Sequence, residues 1–365
     1  MANVPKDFGY TSDHDLLRTT ARRLLGDKCP IGEVRRLIDD ARGWNPALLA
    51  ELGELGWLGL VLDEAHGGAG LDHLSLALLL EETGKALLPG PHLAATLGGI
   101  AVQAAGSETQ RARWLPAIAD GSMVATVAFT EPSSSWEPPT YATTARADGD
   151  GWVLDGIKTH VAYAADAALV LVPASLDGEL ALFGVPTSLA RIAPEVTLDS
   201  TRRTARLTFE NARVDSEARL DARAWPAIQS RALLCIAAEA VGAGQAILAQ
   251  TRAYAIERTQ FGRPIGSFQA VKHPIVNVMI AIEKARSLTY YAAAALDHDP
   301  AAAPAYCRAA VTAAQDALSF AADRGVQIHG GYGFTWDCDA HLFMKRSLAG
   351  VTLRRPVVDF GSAPR

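Results

Sequence analysis

Apolar residues in the first third of the chain recur at a spacing of three and four positions. Leu16, Leu17 and Leu24 follow this spacing, and so do the leucines between Leu48 and Leu55. This spacing places apolar side chains on one face of a helix, where they can pack against a core. The pattern predicts a helical domain over residues 1–122.

The pattern changes over residues 123–222, where short apolar and β-branched runs alternate with turn signals. Residues 168–173 and 205–209 have the length and composition of buried strands. The dipeptide Asp155-Gly156 is a further signal, because Asp-Gly favours the tight turn of a β-hairpin. This part of the chain is therefore predicted to form a β domain between two helical ones.

Helical spacing returns over residues 223–365 and predicts three long helices. They extend from about Pro226 to Glu257, from Phe268 towards Leu296, and from Ala303 to Ile328. Pro226 suits the first turn of a helix, because the amide hydrogen that proline lacks has no partner there. No Gly-x-Gly-x-x-Gly sequence follows a predicted strand, so the fingerprint of a Rossmann dinucleotide fold is absent.

The composition is that of a globular protein. The chain has 365 residues, of which 49% are hydrophobic and 20% charged, and this balance excludes intrinsic disorder as the main state. A net charge of -6 at pH 7 argues against a nucleic-acid partner. The four cysteines form no Cys-x-x-Cys pair, so neither a disulfide framework nor a metal site is predicted.

The sequence predicts a cytoplasmic protein without a membrane partner. Residues 1–10 contain no long apolar run of the kind that a signal peptide needs. The apolar stretch from Leu233 to Leu248 is interrupted by Glu239 and Gly242, and it is shorter than the ~20 residues of a membrane span. We therefore interpret this stretch as a buried core helix.

Two glycine-containing segments near the ends of predicted helices carry candidate ligand-binding residues. In the first, a guanidinium fork from Arg258 can hold a pyrophosphate, and Phe261 can stack on a planar ring. The alternative is a capped helix end with a solvated arginine. In the second, Gly330 and Gly331 allow close backbone approach to a ligand, but a helix C-cap with a structural His329 explains the segment equally well.

Together with Thr130-Glu131-Pro132 and Asp155-Gly156-Ile157-Lys158, these segments resemble the acyl-CoA dehydrogenase family. The resemblance extends over nearly the whole chain. It implies a mainly α fold with a helical N-terminal domain, a β-barrel-like middle domain and a C-terminal four-helix bundle.

The resemblance also implies a cofactor, a substrate and partners. FAD is the cofactor, an acyl-CoA thioester from fatty acid or steroid catabolism is the substrate, and an electron-transfer flavoprotein or similar protein is the acceptor. In the family a carboxylate removes the α-proton and the flavin accepts the β-hydrogen as hydride. The residues at matching FAD positions are Phe129, Thr130, Arg258, Gln260, Phe261, Gln327, Gly330 and Gly331.

Three departures from the family pattern concern the flavin ring and the base. Trp136 stands in a loop where the family usually has a small serine, and Ala162 replaces a threonine that hydrogen-bonds near flavin N5. The two usual positions of the catalytic carboxylate correspond here to Arg231-Ala232 and to residues 348–355, and neither contains an acid.

Glu239 and Asp337 are the candidates to replace the missing base. Glu239 is two helical turns beyond the usual position on the long helix, and we interpret it as lying on the same face. Its apolar neighbours in the sequence predict a raised pKa, which is typical of a catalytic base. The alternative is a structural glutamate paired with an arginine of a neighbouring helix. Relatives often carry an acid at the position of Asp337 for structural reasons.

The retained residues match the adenosine and pyrophosphate side of FAD, whereas the altered ones match the ring side. The resemblance implies an FAD shared between two subunits, and three interpretations stay open. The chain is a complete homo-oligomeric dehydrogenase with a displaced base, or it is a non-catalytic subunit that holds FAD in a hetero-oligomer. The third interpretation is a flavin-dependent oxygenase or a binding scaffold.

Overall fold

The computed structural model describes residues 4–5, 7–133 and 140–350. Within this part, six α-helices precede the first strand, as the N-terminal pattern predicted. Their apolar faces share one core with the C-terminal helices. They are α1 (Ser12–Lys28), α2 (Ile31–Asp39), α3 (Pro46–Glu54), α4 (His73–Lys85), α5 (His92–Ala105) and α6 (Glu108–Ala119).

A mixed sheet of eight described strands forms the middle of the chain and confirms the β domain. The strands are β1 (Ala125–Val127), β2 (Thr144–Asp148), β3 (Gly151–Ala162), β4 (Leu169–Leu176), β5 (Glu179–Pro186), β6 (Arg191–Glu195), β7 (Thr204–Val214) and β8 (Arg219–Leu220). They are hydrogen-bonded in the order β6-β7-β3-β2-β4-β5-β8, and β1 pairs in parallel with β4. A second hydrophobic core lies against this sheet and includes Leu154, Phe183 and Phe209.

The hairpin predicted at Asp155-Gly156 is wrong, because this dipeptide lies inside β3. The chain turns between β2 and β3 at Gly149, within residues 147–151, where the sequence Ala-Asp-Gly-Asp-Gly also predicts a turn. At Gly156 the pairing of β3 with β7 shifts register. A Cβ atom on Gly156 would lie 2.6 Å from the Cα of Thr143, so close packing, and not a turn, requires this glycine.

The C-terminal part contains the four helices of the predicted bundle. They are α7 (Trp225–Glu257), α8 (Gln269–His298), α9 (Ala303–His329) and α10 (Ala340–Ala349). A short antiparallel pair, β9 (Thr259–Gln260) and β10 (Arg263–Pro264), connects α7 to α8. The three long helices begin and end within a few residues of their predicted limits. The domain limits 1–122, 123–222 and 223–365 stay predictions.

The interpretation of α7 as a core helix is confirmed. By length and composition alone this helix could cross a membrane, but 83% of its most apolar window is buried inside the protein. Two glycines, one in each helix, allow the backbones of α7 and α4 to pack directly against each other. A Cβ atom on Gly242 would lie 1.9 Å from the carbonyl oxygen of Glu81, and one on Gly84 would lie 2.2 Å from that of Glu239.

Candidate functional site

Arg258 and the Gly330-Gly331 pair lie at the same end of the helical bundle. Arg258 directly follows α7, and Gly330 directly follows α9. The ring of Tyr254, in the last turn of α7, stacks on the ring of His329, the last residue of α9, with ring centroids 4.3 Å apart. The fold therefore brings together two segments that the sequence indicated separately.

Gln260 and Phe261 lie at the turn between β9 and β10. Gln260 pairs with Arg263 across this turn, and the Ile265 N–H donates to the Arg258 carbonyl at 2.8 Å. Phe261 adopts a φ of +54°, and its side chain is 90% exposed. The turn thus presents an aromatic ring beside Arg258 to a ligand or a neighbouring subunit.

The polar groups at this end of the bundle are exposed and suit an anionic nucleotide. Among the described residues, the Arg258 guanidinium has no hydrogen-bond or ion-pair partner, and Gln327 is exposed in the last turn of α9. A Cβ atom on Gly330 or Gly331 would meet no atom within 4 Å. An unused fork next to open backbone fits the pyrophosphate and adenosine of FAD.

Phe129 and Thr130 lie far from this end of the bundle. Phe129 packs against Trp225, the first residue of α7, with ring centroids 5.4 Å apart. The Thr130 hydroxyl donates to the Thr159 carbonyl at 2.6 Å. Arg258 follows the last residue of α7, and 33 helical residues span about 50 Å. The predicted FAD contacts of one chain therefore form two separate groups.

A buried ion pair between Lys158 and Glu131 connects two of the sequences that carry the family resemblance. Lys158 Nζ lies 2.8 Å from Glu131 Oε1, and both side chains are almost fully buried. Burial lowers the pKa of Lys158 to about 8, although Glu131 opposes this change. Glu131 also accepts hydrogen bonds from the backbone N–H groups of Ala142 and Thr143. Both residues belong to motifs that carry the family resemblance, but nothing in the sequence indicated that they pair with each other.

The strand positions that the family resemblance assigns to the flavin ring, from His160 to Ala162, make contacts within this chain. His160 adopts a φ of +53°, and its N–H donates to Glu195 at 2.9 Å. Its ring Nδ1 lies 3.1 Å from the same carboxylate oxygen. The Ala162 carbonyl accepts a hydrogen bond from the Thr126 hydroxyl. Trp136 lies outside the described residues.

Glu239 is buried in the middle of α7 and forms an ion pair with Arg202. His92 Nε2 lies 3.4 Å from its other carboxylate oxygen. Burial by itself would raise the pKa of Glu239, but Arg202, His92 and Arg346 lower it to about 2. The raised pKa that the sequence predicted is wrong, because these groups come from distant parts of the chain. The alternative of an arginine partner is confirmed, although Arg202 lies between β6 and β7 and not in a helix.

Arg231 and Glu239 face different parts of the structure. Arg231 Nε donates to His73 Nε2 at 3.1 Å, and His73 Nδ1 lies 2.5 Å from Asp297. Glu239 follows Arg231 by eight residues, which is about 80° more than two full helical turns. The predicted shared face is therefore wrong for Arg231. Ala232, seven residues before Glu239, does lie on that face.

A further buried ion pair joins Arg346 of α10 to Asp199 in the connection between β6 and β7. Arg346 also donates to the Thr201 hydroxyl at 2.6 Å. Burial would raise the pKa of Asp199, but Arg346 and Arg202 lower it. Two acids, Glu239 and Asp199, and two arginines, Arg202 and Arg346, therefore form one buried cluster of compensating charges. These arginines lower the pKa values of both Glu239 and Asp199.

Asp337, the weaker candidate for the base, is exposed in the turn before α10. Its backbone carbonyl accepts a hydrogen bond from the Tyr332 hydroxyl at 2.8 Å. Tyr332 lies beside Tyr254, with ring centroids 6.2 Å apart. Asp337 therefore lies at the Arg258 end of the bundle, which favours a structural role.

Acid is expected to destabilise the protein through Glu239 and Asp199. For Glu239 the pKa falls from an ordinary value of 4.5 to about 2 on folding, so the unfolded state takes up the proton first as the pH decreases. The stability that this carboxylate provides is complete above about pH 5 and is lost towards about pH 2. Measured unfolding free energies should therefore depend less on pH in Glu239→Gln than in the native protein. Equal slopes would contradict this role.

Comparison with known proteins assigns this three-part fold to a class of oxidoreductases. Residues 11–122 match the family model for the acyl-CoA dehydrogenase N-terminal domain, and residues 230–352 match the model for the C-terminal domain. The chain belongs to the acyl-CoA dehydrogenase family of flavoprotein oxidoreductases.

Individual relatives agree with this assignment. The chain is 33% identical over 338 residues to acyl-CoA dehydrogenase IpdE2 of Mycobacterium tuberculosis, covering 92% of this chain and 91% of the relative. Among solved structures, the Tcur3481-Tcur3483 steroid ACAD, studied as a variant, is 30% identical with a TM-score of 0.86 and 94% of each chain covered. The ChsE4-ChsE5 complex from Mycobacterium tuberculosis is 26% identical with a TM-score of 0.87, covering 94% of this chain and 93% of that one.

Proposed function

We propose that this chain is a subunit of an FAD-dependent acyl-CoA dehydrogenase and holds the adenosine and pyrophosphate end of the cofactor. A second family chain provides the flavin-ring site and the catalytic base. The separation of the two groups of predicted contacts carries this proposal. Phe129 lies at the start of α7 and Arg258 follows its end, about 50 Å away along the helix. One FAD cannot contact both groups, so they fit an FAD that is shared between two chains. The absence of an acid at either usual base position favours a second chain that differs from this one.

The charges around Glu239 support the assignment of the base to another chain. The carboxylate of Glu239 is paired with Arg202, and Arg231 is paired with His73. A catalytic base needs a pKa near the working pH, whereas that of Glu239 is lowered to about 2. In this chain Glu239 therefore has the properties of a structural residue.

The residues at the end of the bundle supply binding and orientation. When bound, FAD supplies the acceptor for the hydride that leaves the β-carbon of an acyl thioester. Arg258 would neutralise the charge of the pyrophosphate, and the amides of Gln260 and Gln327 would hold the adenosine. Gly330 and Gly331 let the backbone approach the ligand. An electron-transfer flavoprotein or similar acceptor stays the predicted electron partner.

The names of two similar structures support a hetero-oligomer. Both the Tcur3481-Tcur3483 steroid ACAD and the ChsE4-ChsE5 complex are named for two chains. By analogy, the partner of this protein is a second chain of the same family that retains a carboxylate at a usual base position.

Purification of the chain alone and together with its co-purifying partner tests this function. We expect the isolated chain to be colourless and inactive towards acyl-CoA, and the two-chain assembly to show the visible spectrum of bound FAD and to oxidise acyl-CoA. A yellow, active homo-oligomer would overturn the proposal in favour of a complete dehydrogenase. Flavin that a nicotinamide cofactor reduces and that then reacts productively with oxygen would indicate an oxygenase.

Gly331→Val is expected to weaken FAD binding without destabilising the fold. Its Cβ atom would enter open space, so the folded chain can accommodate the side chain, but the ligand could no longer approach the backbone. FAD affinity and the free energy of unfolding should be measured on the same preparation of the assembly. Unchanged affinity would show that the cofactor does not contact this glycine.

A further inference from the structure

The two segments proposed to bind FAD belong to different helices. Arg258 follows α7 and Gly330 follows α9, so their distance from each other depends on how these helix ends pack. Binding of one pyrophosphate and adenosine by both segments requires a fixed geometry, because a displacement of about 1 Å weakens such sites. The contacts between the two helix ends therefore bear directly on cofactor affinity.

Tyr254 and His329 form a contact between the last turns of the two helices. Their rings are stacked with an interplanar angle of 25° and centroids 4.3 Å apart. The ring of Tyr332 lies beyond, at 6.2 Å from Tyr254 and an interplanar angle of 17°. Stacked aromatic pairs of this kind add stability beyond that of their buried area.

Each of the two rings is close in the sequence to one of the segments proposed to bind FAD. The Arg258 N–H donates to the Tyr254 carbonyl at 2.9 Å, so the backbone of Arg258 lies one helical turn after that of Tyr254. His329 directly precedes Gly330. The His329 ring is buried, and its Nδ1 lies 2.7 Å from the Gly325 carbonyl. Because a carbonyl only accepts, Nδ1 carries the hydrogen, and the ring orientation is fixed within the chain.

The helices are already in close contact below the stack. A Cβ atom on Gly325 would lie 2.7 Å from Ile247. The two helices therefore approach closely about one turn before the end of α9 and almost three turns before the end of α7. The Tyr254–His329 stack is therefore the aromatic layer that extends this packing up to the binding segments.

We propose that Tyr254 and His329 are positioning residues that set the distance between Arg258 and the Gly330-Gly331 backbone for FAD. This inference rests on the proposed function, and neither ring needs to touch the cofactor. The substitution Tyr254→Leu keeps an apolar side chain but removes the ring. We expect it to weaken FAD binding by the two-chain assembly about five- to tenfold, which corresponds to a loss of the stacking contribution.

Tyr254→Phe keeps the ring and should restore FAD affinity to within about twofold of the native value. The matched control is Tyr306→Leu, which removes one ring of the Tyr291–Tyr306 pair at the opposite end of α9 and should leave FAD affinity unchanged. If Tyr254→Leu fails to assemble, His329→Gln provides the same test, because it removes the stacked ring from the other helix.

A double mutant separates positioning from a general loss of stability. If Tyr254 acts through Arg258, Tyr254→Leu should weaken FAD binding much less in an Arg258→Ala background than in the native one. Equal losses in both backgrounds, or unchanged affinity in Tyr254→Leu and His329→Gln, would overturn the positioning role. An Arg258→Ala variant that binds FAD normally would instead refute the proposed function itself.

Discussion

Arg258→Ala is expected to weaken FAD binding by the assembled protein by about ten- to a hundredfold. The guanidinium lies exposed at the end of α7. A hydrogen bond to a charged group contributes about 1.5–3 kcal/mol. Alanine removes both the charge and the fork that matches a pyrophosphate. Titration of the FAD-free assembly with FAD, followed by flavin fluorescence, measures the change.

Two further variants test whether the loss of FAD affinity depends on the position of Arg258 and on the fork shape of its guanidinium. Arg252→Ala removes an exposed positive charge from the same helix and should change the affinity little. Arg258→Lys keeps the charge without the bidentate geometry and should give an intermediate loss. If Arg252→Ala weakened binding as much as Arg258→Ala, the effect would come from the general electrostatic field and not from a contact with FAD.

Arg202→Met is expected to lower the free energy of unfolding by about 3–5 kcal/mol. It removes the arginine that pairs with Glu239 and leaves only His92 and Arg346 to compensate a carboxylate whose side chain is only 4% exposed. A buried charge without compensation is costly because the protein interior cannot replace its hydration. Chemical denaturation of the native chain and the variant measures the difference.

The reverse substitution is expected to destabilise less. Glu239→Gln keeps the shape of the side chain and removes the charge, and the Arg202 side chain, which is 32% exposed, can then be hydrated. The double variant should be more stable than the sum of the two single losses predicts, because no unpaired buried charge remains. Equal losses from both single variants would contradict the asymmetry in burial.

Periodicity was a good guide to the elements that bury a continuous apolar face. The helices α7 and α9 and the strand β4 lie close to their predicted limits because their own residues carry the signal. The error at Asp155-Gly156 has a local cause. The same dipeptide suits a turn or a strand irregularity, and only the neighbouring Thr143 backbone decides between them.

The environment of Glu239 could not be predicted from its own helix. Its sequence neighbours are apolar and indicated a raised pKa, whereas Arg202, His92 and Arg346 approach from other elements and lower it. A pKa depends on charges within a few ångströms in space. Arg202, 37 positions away in the sequence, and His92, 147 positions away, therefore affect the pKa of Glu239 more than its neighbours in the sequence do.

The sequence by itself determined the family and the order of helical and β regions, and it predicted the residues suited to FAD. These properties depend on local periodicity and on short motifs, which a single chain displays directly. Only the tertiary structure decided which of those residues meet. It placed Tyr254 on His329 and so joined the ends of α7 and α9, and it separated Phe129 from Arg258 by the length of a helix. It also paired the ionised carboxylate of Glu239 on α7 with Arg202. Long-range packing, and not sequence neighbourhood, fixes the distances between charged groups.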